Sequence, residues 1–276
     1  MQVVVAEHAG FCFGVRRAIE LVTRAVETGG PLVTLGPLIH NPQEVARLEA
    51  AGVRVATDVA DAAGCRMVMP SHGVAQETLQ KARETGADII DATCPYVAKV
   101  HRTVRELARA GFRVVVVGDP GHSEVKGILS AAGPGAIAIA SPEEAASRSW
   151  TGKVGIVAQT TQTAERFQEI ADIVRSQAEE VRAVNTICVA TRQRQESAHD
   201  VAPKVDVMFV VGGRNSANTN RLRELCEAVG VPTYHIERAA EIQDEWLVGK
   251  SIAGITAGAS TPDWLIDEVK VRLEKV

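Results

Sequence analysis

Three times in this chain a cysteine is followed, 28 residues later, by a polar side chain in a glycine-containing loop: Cys12 by His40, Cys94 by His122 and Cys188 by Ser216. A second polar residue follows each cysteine in the same order, His72 after 60 residues, Thr160 after 66 and Ser260 after 72. Such spacing predicts three copies of one αβ unit, each giving one thiol and two polar groups to a common centre. Three thiolates meeting at one point are a metal-site hypothesis, and here an iron–sulfur one. Zinc sites use closely spaced pairs such as CxxC, and none is present. The compact CxxCxxC runs of many iron–sulfur proteins are also missing, so a cluster here would be built from distant single ligands. Held by three thiolates, a [4Fe–4S] cluster keeps one iron open to bind and activate a substrate oxygen. Cys65, at a strand edge, and Cys226, inside a helical stretch, read as packing thiols.

The imidazoles stand in GPLIHNP (His40), PSHG (His72) and GDPGHSEV (His122). A single loop histidine is more often a surface group than a ligand. Three in equivalent places argue for a shared role, since imidazole donates to phosphate oxygens and carries charge near neutral pH. His8, His101, His199 and His235 lack that placement. Glu124 supports two readings equally: a first-turn carboxylate complementing a helix dipole, or a proton source facing the cluster. The loops GGRNSANTN (212–220) and TAGAST (256–261) are rich in small donors ahead of helices, the composition of anion sites and also of ordinary caps. No GxxxxGK[ST] occurs, which argues against nucleotide hydrolysis. No GxGxxG occurs, which argues against a bound nicotinamide cofactor.

Elements that could position these groups alternate along the chain. Strands are expected at 3–6, 32–35, 67–70, 89–91, 114–118, 154–158, 207–211, 231–235 and 252–257. Helices are expected at 14–27, 42–51, 74–84, 96–110, 164–180, 218–229 and 262–274, with further starts at Glu124 and after Cys188. The region 131–150 reads as a short strand and helix. Several strands are apolar without alternation, as in parallel sheets covered on both faces. His40, His72, Cys94, His122, Thr160, Cys188, Asn215–Asn218 and Ser260 all fall in loops after a strand and before a helix. In open α/β sheets that edge binds ligands. The fold class expected is α/β: three similar small lobes with mostly parallel sheets in pseudo-threefold arrangement around a central iron–sulfur cluster. Boundaries are expected at 13–94, 95–187 and 188–276, with strand 1–12 completing the last lobe.

The 276 residues suffice for one large domain or two to three small ones. A net charge of −4 without a long basic run argues against nucleic acid or an anionic membrane as partner. MQVVVAEHAGFCFGV lacks the regions of a signal peptide, and no stretch reaches the ~18 apolar residues of a membrane span. Five cysteines without close pairing fit a reducing cytosol. The expectation is a cytoplasmic protein.

The ordered set FCFGV, LIHNP, SHG, DATCPYV, GHSEV, AQTT, NTICVAT with RQ, RNSANTNRL and TAGAS resembles the 4-hydroxy-3-methylbut-2-enyl diphosphate reductase family, from about residue 7 to residue 266. The resemblance implies a three-lobed fold around one [4Fe–4S] cluster ligated by Cys12, Cys94 and Cys188, with one open iron. It implies diphosphate-binding groups at His40, His72, Ser216, Asn218 and Ser260, and a substrate contact near the diphosphate at His122. Glu124 matches the acid that relays protons, and Thr160 the hydroxyl beside the substrate alcohol. It further implies an external one-electron donor such as ferredoxin or flavodoxin, and reductive loss of an allylic hydroxyl in the non-mevalonate isoprenoid route. Ala217 stands where family members often carry a second serine, removing one side-chain donor. The competing readings are an iron–sulfur hydro-lyase, a non-catalytic iron–sulfur sensor and a zinc hydrolase.

Overall fold

Twelve short strands alternate with ten helices, and every strand pairing is parallel. A computed structural model describes residues 1–276. The strands are β1 (Gln2–Val5), β2 (Leu32–Leu35), β3 (Val53–Ala56), β4 (Arg66–Met69), β5 (Ile89–Asp91), β6 (Arg113–Val117), β7 (Ile137–Ile139), β8 (Lys153–Ala158), β9 (Glu180–Val184), β10 (Val207–Val211), β11 (Thr233–Ile236) and β12 (Ile252–Ala257). The helices are α1 (Phe13–Glu27), α2 (Pro42–Ala50), α3 (Gln76–Glu84), α4 (Pro95–Arg109), α5 (Ser123–Ala132), α6 (Pro142–Ala146), α7 (Ala164–Arg175), α8 (Val189–Val201), α9 (Ala217–Val229) and α10 (Asp263–Glu274).

The strands form three four-stranded sheets, ordered β1-β12-β10-β11, β3-β2-β4-β5 and β7-β6-β8-β9. Reading the first sheet from its other end gives β11-β10-β12-β1, and all three then share one topology. The first strand of each set lies second, the next at one edge, the third beside the first, and the last at the opposite edge. Because β1 comes from the N-terminus yet takes the last place, pairing Val3 with Ala253 and Val5 with Ile255, it completes that sheet. Central strands are wholly buried, as in VMFVV of β10 and LVTL of β2. Edge strands mix exposed and half-buried positions, as in EVRAV of β9. That division follows from helices covering both faces of the central strands while the outer edges meet water.

The chain divides into two compact units. One holds Met1–Arg16, Ile39–Arg47 and Val189–Val276, the other Arg17–Leu38 and Leu48–Cys188. In the first, Phe209, Ile255 and Val211 of the sheet pack against Leu265, Val269 and Leu273 of α10. In the second, Val115, Ile156 and Trp150 pack against Phe167, Ile170 and Val174 of α7. Trp150 is buried, and its indole N–H donates to the Ala145 carbonyl at 2.9 Å, so the ring adds apolar contact without an orphaned donor. No helix is long and apolar enough to cross a membrane.

Candidate functional site

The shared topology places the chemically capable residues at matching strand exits. The second strand of each sheet leads to His40 (from β2), His122 (from β6) or Ser216 (from β10). The third leads to His72 (from β4), Thr160 (from β8) or Ser260 (from β12). The last leads to Cys94 (from β5), Cys188 (from β9) or Cys12 (from β1). Each of these carboxyl ends runs into a loop before a helix, where backbone N–H groups are available to a ligand.

Each cysteine is tied by its own backbone to the neighbouring exit. The Cys12 N–H donates to the Ala259 carbonyl at 3.0 Å, the Cys94 N–H to Ser71 at 2.9 Å, and the Cys188 N–H to Thr160 at 3.0 Å. Thiol and polar companion are thus held side by side within each lobe. All five cysteines are thiols, with Cys12, Cys94 and Cys188 half-buried and Cys226 buried. Burial pushes the Cys226 thiol up to about 12, as expected of a packing residue.

Helix starts separate into two kinds. Six helices carry an acidic residue in the first turn, the ordinary complement of the dipole. Four do not: α1, α4 and α8, which follow Cys12, Cys94 and Cys188, and α9, which opens at Ser216. The positive end of those four dipoles is left for a ligand of negative charge. Three soft thiols at acid-free helix starts suit the chemistry of an iron–sulfur cluster better than that of a hard cation. Within either unit, no three His, Cys, Asp or Glu side chains are grouped to hold a single metal ion.

In the first unit the anion-type groups assemble around Gly213. A β-carbon there would meet the His40 carbonyl at 2.7 Å and Asn215 Oδ1 at 2.8 Å, so only glycine allows the 39–47 segment and the β10–α9 loop to approach so closely. Ser260 Oγ donates to the same His40 carbonyl at 3.0 Å. Ser216 caps α9, its Oγ accepting from the Thr219 N–H at 3.3 Å, which leaves its own proton to donate. Asn218 is only 4% exposed, and neither its amide oxygen nor its amide nitrogen finds a protein partner. Such an orphan costs stability unless something binds it. Ala217 occupies the first position of α9, where its backbone N–H has no intrahelical acceptor and can take over the donor role of a serine.

The second unit holds a buried carboxyl and a buried imidazole beside a threonine hydroxyl. Glu124, in the first turn of α5, is 3% exposed. Its Oε1 accepts from the Thr160 N–H at 2.7 Å and its Oε2 from the Thr160 hydroxyl at 2.9 Å. Burial raises the carboxyl pKa to about 7, and the two bonds from Thr160 pull it back in the other direction. His122 caps the same helix, its Nδ1 accepting from the Glu124 N–H at 3.1 Å. That fixes the tautomer with the proton on Nε2, and burial lowers the imidazole pKa and keeps it neutral. Beside them Gln159 is 1% exposed, and its Oε1 accepts from the Asp119 N–H at 3.1 Å. His72 is buried one residue after Ser71, whose N–H donates to the Leu38 carbonyl at 3.1 Å.

Two further residues lie outside the motifs' expected roles. Arg194, in the RQ of the α8 segment, is 6% exposed and donates from Nε and Nη2 to the Gly10 carbonyl at 3.2 and 2.6 Å. It fixes the turn that presents Cys12. Asn41 caps α2 through Oδ1 at 2.9 Å from the Glu44 N–H, anchoring the residue after His40. An arginine inside a helical stretch has no sequence signal of its own beyond the motif that contains it.

The fold and its exits define a three-lobed parallel α/β protein with thiols, imidazoles and hydroxyls gathered at the carboxyl ends of its strands. The chain belongs to the LytB protein family, whose model matches residues 3–274. It is 46% identical over 276 residues to a 4-hydroxy-3-methylbut-2-enyl diphosphate reductase of Geotalea uraniireducens (strain Rf4), covering 100% of this chain and 98% of the relative. It is 45% identical over 280 residues to the protein of the same name from Aquifex aeolicus (strain VF5), covering 100% and 97%. A solved structure of (E)-4-hydroxy-3-methyl-but-2-enyl diphosphate reductase, the terminal enzyme of the non-mevalonate pathway, matches at 45% identity and TM-score 0.71 over 100% of both chains. The corresponding reductase structure from Plasmodium falciparum shares the fold, with TM-score 0.90 over 99% of this chain and 87% of that one, at 24% identity.

Proposed function

We propose that this chain reductively removes the allylic hydroxyl of 4-hydroxy-3-methylbut-2-enyl diphosphate, giving isopentenyl and dimethylallyl diphosphate, the last step of the non-mevalonate isoprenoid route. In the net reaction the C–O bond breaks and two electrons and two protons enter. One proton joins the departing oxygen as water, and the other joins the carbon frame at either end of the allyl unit. The electrons come one at a time from an external carrier such as ferredoxin or flavodoxin, in the reducing environment of the cytoplasm.

The family is one of iron–sulfur enzymes. We assign Cys12, Cys94 and Cys188 as ligands of one [4Fe–4S] cluster with an open iron. When bound, such a cluster passes single electrons and offers that iron as a Lewis acid. The chain's own groups do the rest. His40, His72, Ser216 and Asn218 grip the diphosphate with neutral donors, joined by Ser260 when its hydroxyl turns from the His40 carbonyl to the ligand, and aided by the dipole at the start of α9 and by His122. Orphaned Asn218 supports this role, because a phosphate oxygen would satisfy its buried N–H and relieve its cost.

Thr160 and Glu124 move the proton. With the carboxyl ionised, the Thr160 hydroxyl points its proton at Oε2. Once the carboxyl is protonated the bond reverses, Oε2–H donates to Thr160 Oγ1, and the threonine proton turns free toward the substrate oxygen. A pKa near 7 suits that shuttle, since the acid is half loaded at neutral pH.

The observation that carries the reading is the repeated strand-exit set: one thiol and two phosphate- or proton-handling groups per lobe, in a member of this family. The test is anaerobic turnover of the diphosphate with a reduced viologen. Viologen-dependent product formation supports it. Conversion without any electron donor points to a hydro-lyase instead.

A further inference from the structure

One edge strand of each sheet leads to none of the cysteines and to none of the diphosphate or proton groups: β11, β3 and β7. Their registers match. Ile236, Ala56 and Ile139 lie opposite Val211, Leu35 and Val117, the last residues of the neighbouring strands. The glycine that follows donates its N–H to the same partner, Gly212 to Ile236 at 2.9 Å, Gly36 to Ala56 at 2.8 Å and Gly118 to Ile139 at 2.9 Å. The residues flanking that partner differ. The β3 segment offers Val55 and Thr57 and the β7 segment Ala138 and Ala140, whereas the β11 segment offers His235 and Glu237. Two of the three lobes close this corner without an imidazole or a carboxylate, so the fold itself requires neither.

Both side chains reach the backbone of the β10–α9 loop. His235 Nε2 lies 2.8 Å from the Gly212 carbonyl. A carbonyl only accepts, so Nε2 carries the ring's proton. Burial lowers the imidazole pKa and keeps the ring neutral. Glu237 Oε1 accepts from the Arg214 N–H at 2.8 Å. These two bonds fall on the two peptide planes that flank Gly213: His235 holds the first by its carbonyl, and Glu237 holds the second by its N–H. The Ser216 N–H donates to the carbonyl of that second plane at 3.0 Å. Gly213 is also where the loop presses on the His40 carbonyl. Glu237 is itself fixed, its N–H donating to Glu241 Oε1 at 2.8 Å, while Glu241 Oε2 takes the exposed Arg214 guanidinium at 2.5 Å. Gln43, in the helix that follows His40, reaches Glu237 Oε2 at 3.5 Å.

We propose that His235 and Glu237 are positioning residues for the diphosphate grip, locking the peptide planes on either side of Gly213 and so setting the spacing between His40 and the donors Ser216 and Asn218. The role rests on the reductase reading above, in which those donors hold the diphosphate. Neutral donors depend on distance and angle more than a point charge does, so a grip built from them needs a rigid frame. With the loop's peptides already fixed, less ordering remains to be done when the anion binds.

The experiment uses the reconstituted holoenzyme with reduced methyl viologen as electron source, and inorganic pyrophosphate as an inhibitor that carries only the anionic half of the substrate. His235→Val installs the residue found at the matching place in β3, and Glu237→Ala leaves the Arg214 N–H without its acceptor. Each raises the substrate KM and the pyrophosphate inhibition constant together, by about 5- to 10-fold, with kcat within about twofold and iron content unchanged. Glu237→Gln recovers most of the loss, because its amide oxygen accepts from the same N–H. A fall in melting temperature with both constants at the parent's values overturns the proposal, because the pair would then serve stability alone. A drop in kcat at unchanged KM also overturns it, because the residues would then act on the reacting centre. Parent enzyme inactive with viologen removes the reductase reading and this role with it.

Discussion

Thr160 holds both oxygens of Glu124, its N–H on Oε1 at 2.7 Å and its hydroxyl on Oε2 at 2.9 Å, inside a pocket that leaves the carboxyl 3% exposed. Burial disfavours the carboxylate and the two bonds favour it. Burial wins, and the pKa settles at about 7.

The acid form of Glu124 therefore declines as pH rises through about 7, and turnover declines with it. Glu124→Gln keeps an acceptor for the Thr160 N–H but has no proton to give. Turnover should drop ~10²–10⁴-fold with iron content and substrate affinity retained, and the alkaline limb should vanish. A pH–rate profile of the variant that matches the parent removes Glu124 from proton delivery. The same residue sets a stability trend. The unfolded chain ionises this carboxyl near 4.5 while the fold holds its proton to about 7. Stability present below 4.5 is lost across that window, so Glu124→Gln gains on the parent as pH rises to 7 and the two converge in acid.

Thr160→Val removes one of the bonds that favour the carboxylate. The Glu124 pKa should then rise above its present value, carrying the alkaline limb of the rate profile to higher pH while the maximal rate falls. A limb displaced to lower pH contradicts the assigned direction of that hydrogen bond.

Asn218→Ala separates binding from folding. It deletes two buried amide atoms without partners, whose desolvation costs ~1–3 kcal/mol. Substrate KM should rise about tenfold or more, while the melting temperature of the ligand-free protein holds or increases. A lower melting temperature with unchanged KM would make Asn218 a structural residue. Ser216→Ala differs, because that hydroxyl also caps α9. It should raise KM and cost ~1 kcal/mol of stability.

Arg194→Met keeps the aliphatic stem but drops both donors to the Gly10 carbonyl. The turn carrying Cys12 loosens, so iron should leave faster to a chelator although every thiol remains. Arg194→Lys should restore little, because a lysine cannot reproduce the two-pronged contact. Identical iron-loss rates in all three proteins would show that the turn needs no such anchor.

Much of this was legible in the residues. Long apolar runs such as VMFVV and RVVVV gave β10 and β6 to within a residue. The cysteine spacing pointed to three repeated units, and four-stranded sheets of one topology are present. Two strands escaped. β9, EVRAV, alternates charged and apolar residues at a sheet edge and gives no strand signal; only its Glu180 falls within the helix expected over 164–180, which ends at Arg175. β3, VRVA, is four residues with an exposed arginine, too short and too polar for a periodic signal. Tertiary pairing with β2 makes it a strand. Within the site, residue types announced the thiols and imidazoles. The Glu124–Thr160 pairing spans 36 residues and could come only from the fold, and it is a support for the proton role proposed for Glu124.

Cys12, Cys94 and Cys188 are proposed to hold one cluster together. The most direct measurement is iron and acid-labile sulfide content, with electron paramagnetic resonance of the reduced protein, on anaerobically reconstituted parent and on Cys12→Ser, Cys94→Ser and Cys188→Ser. The parent chain should carry about four irons and four sulfides, and each variant should lose the reduced-cluster signal, with Cys226→Ser unaffected. Full iron, full sulfide and an unchanged signal in any one of the three would contradict it.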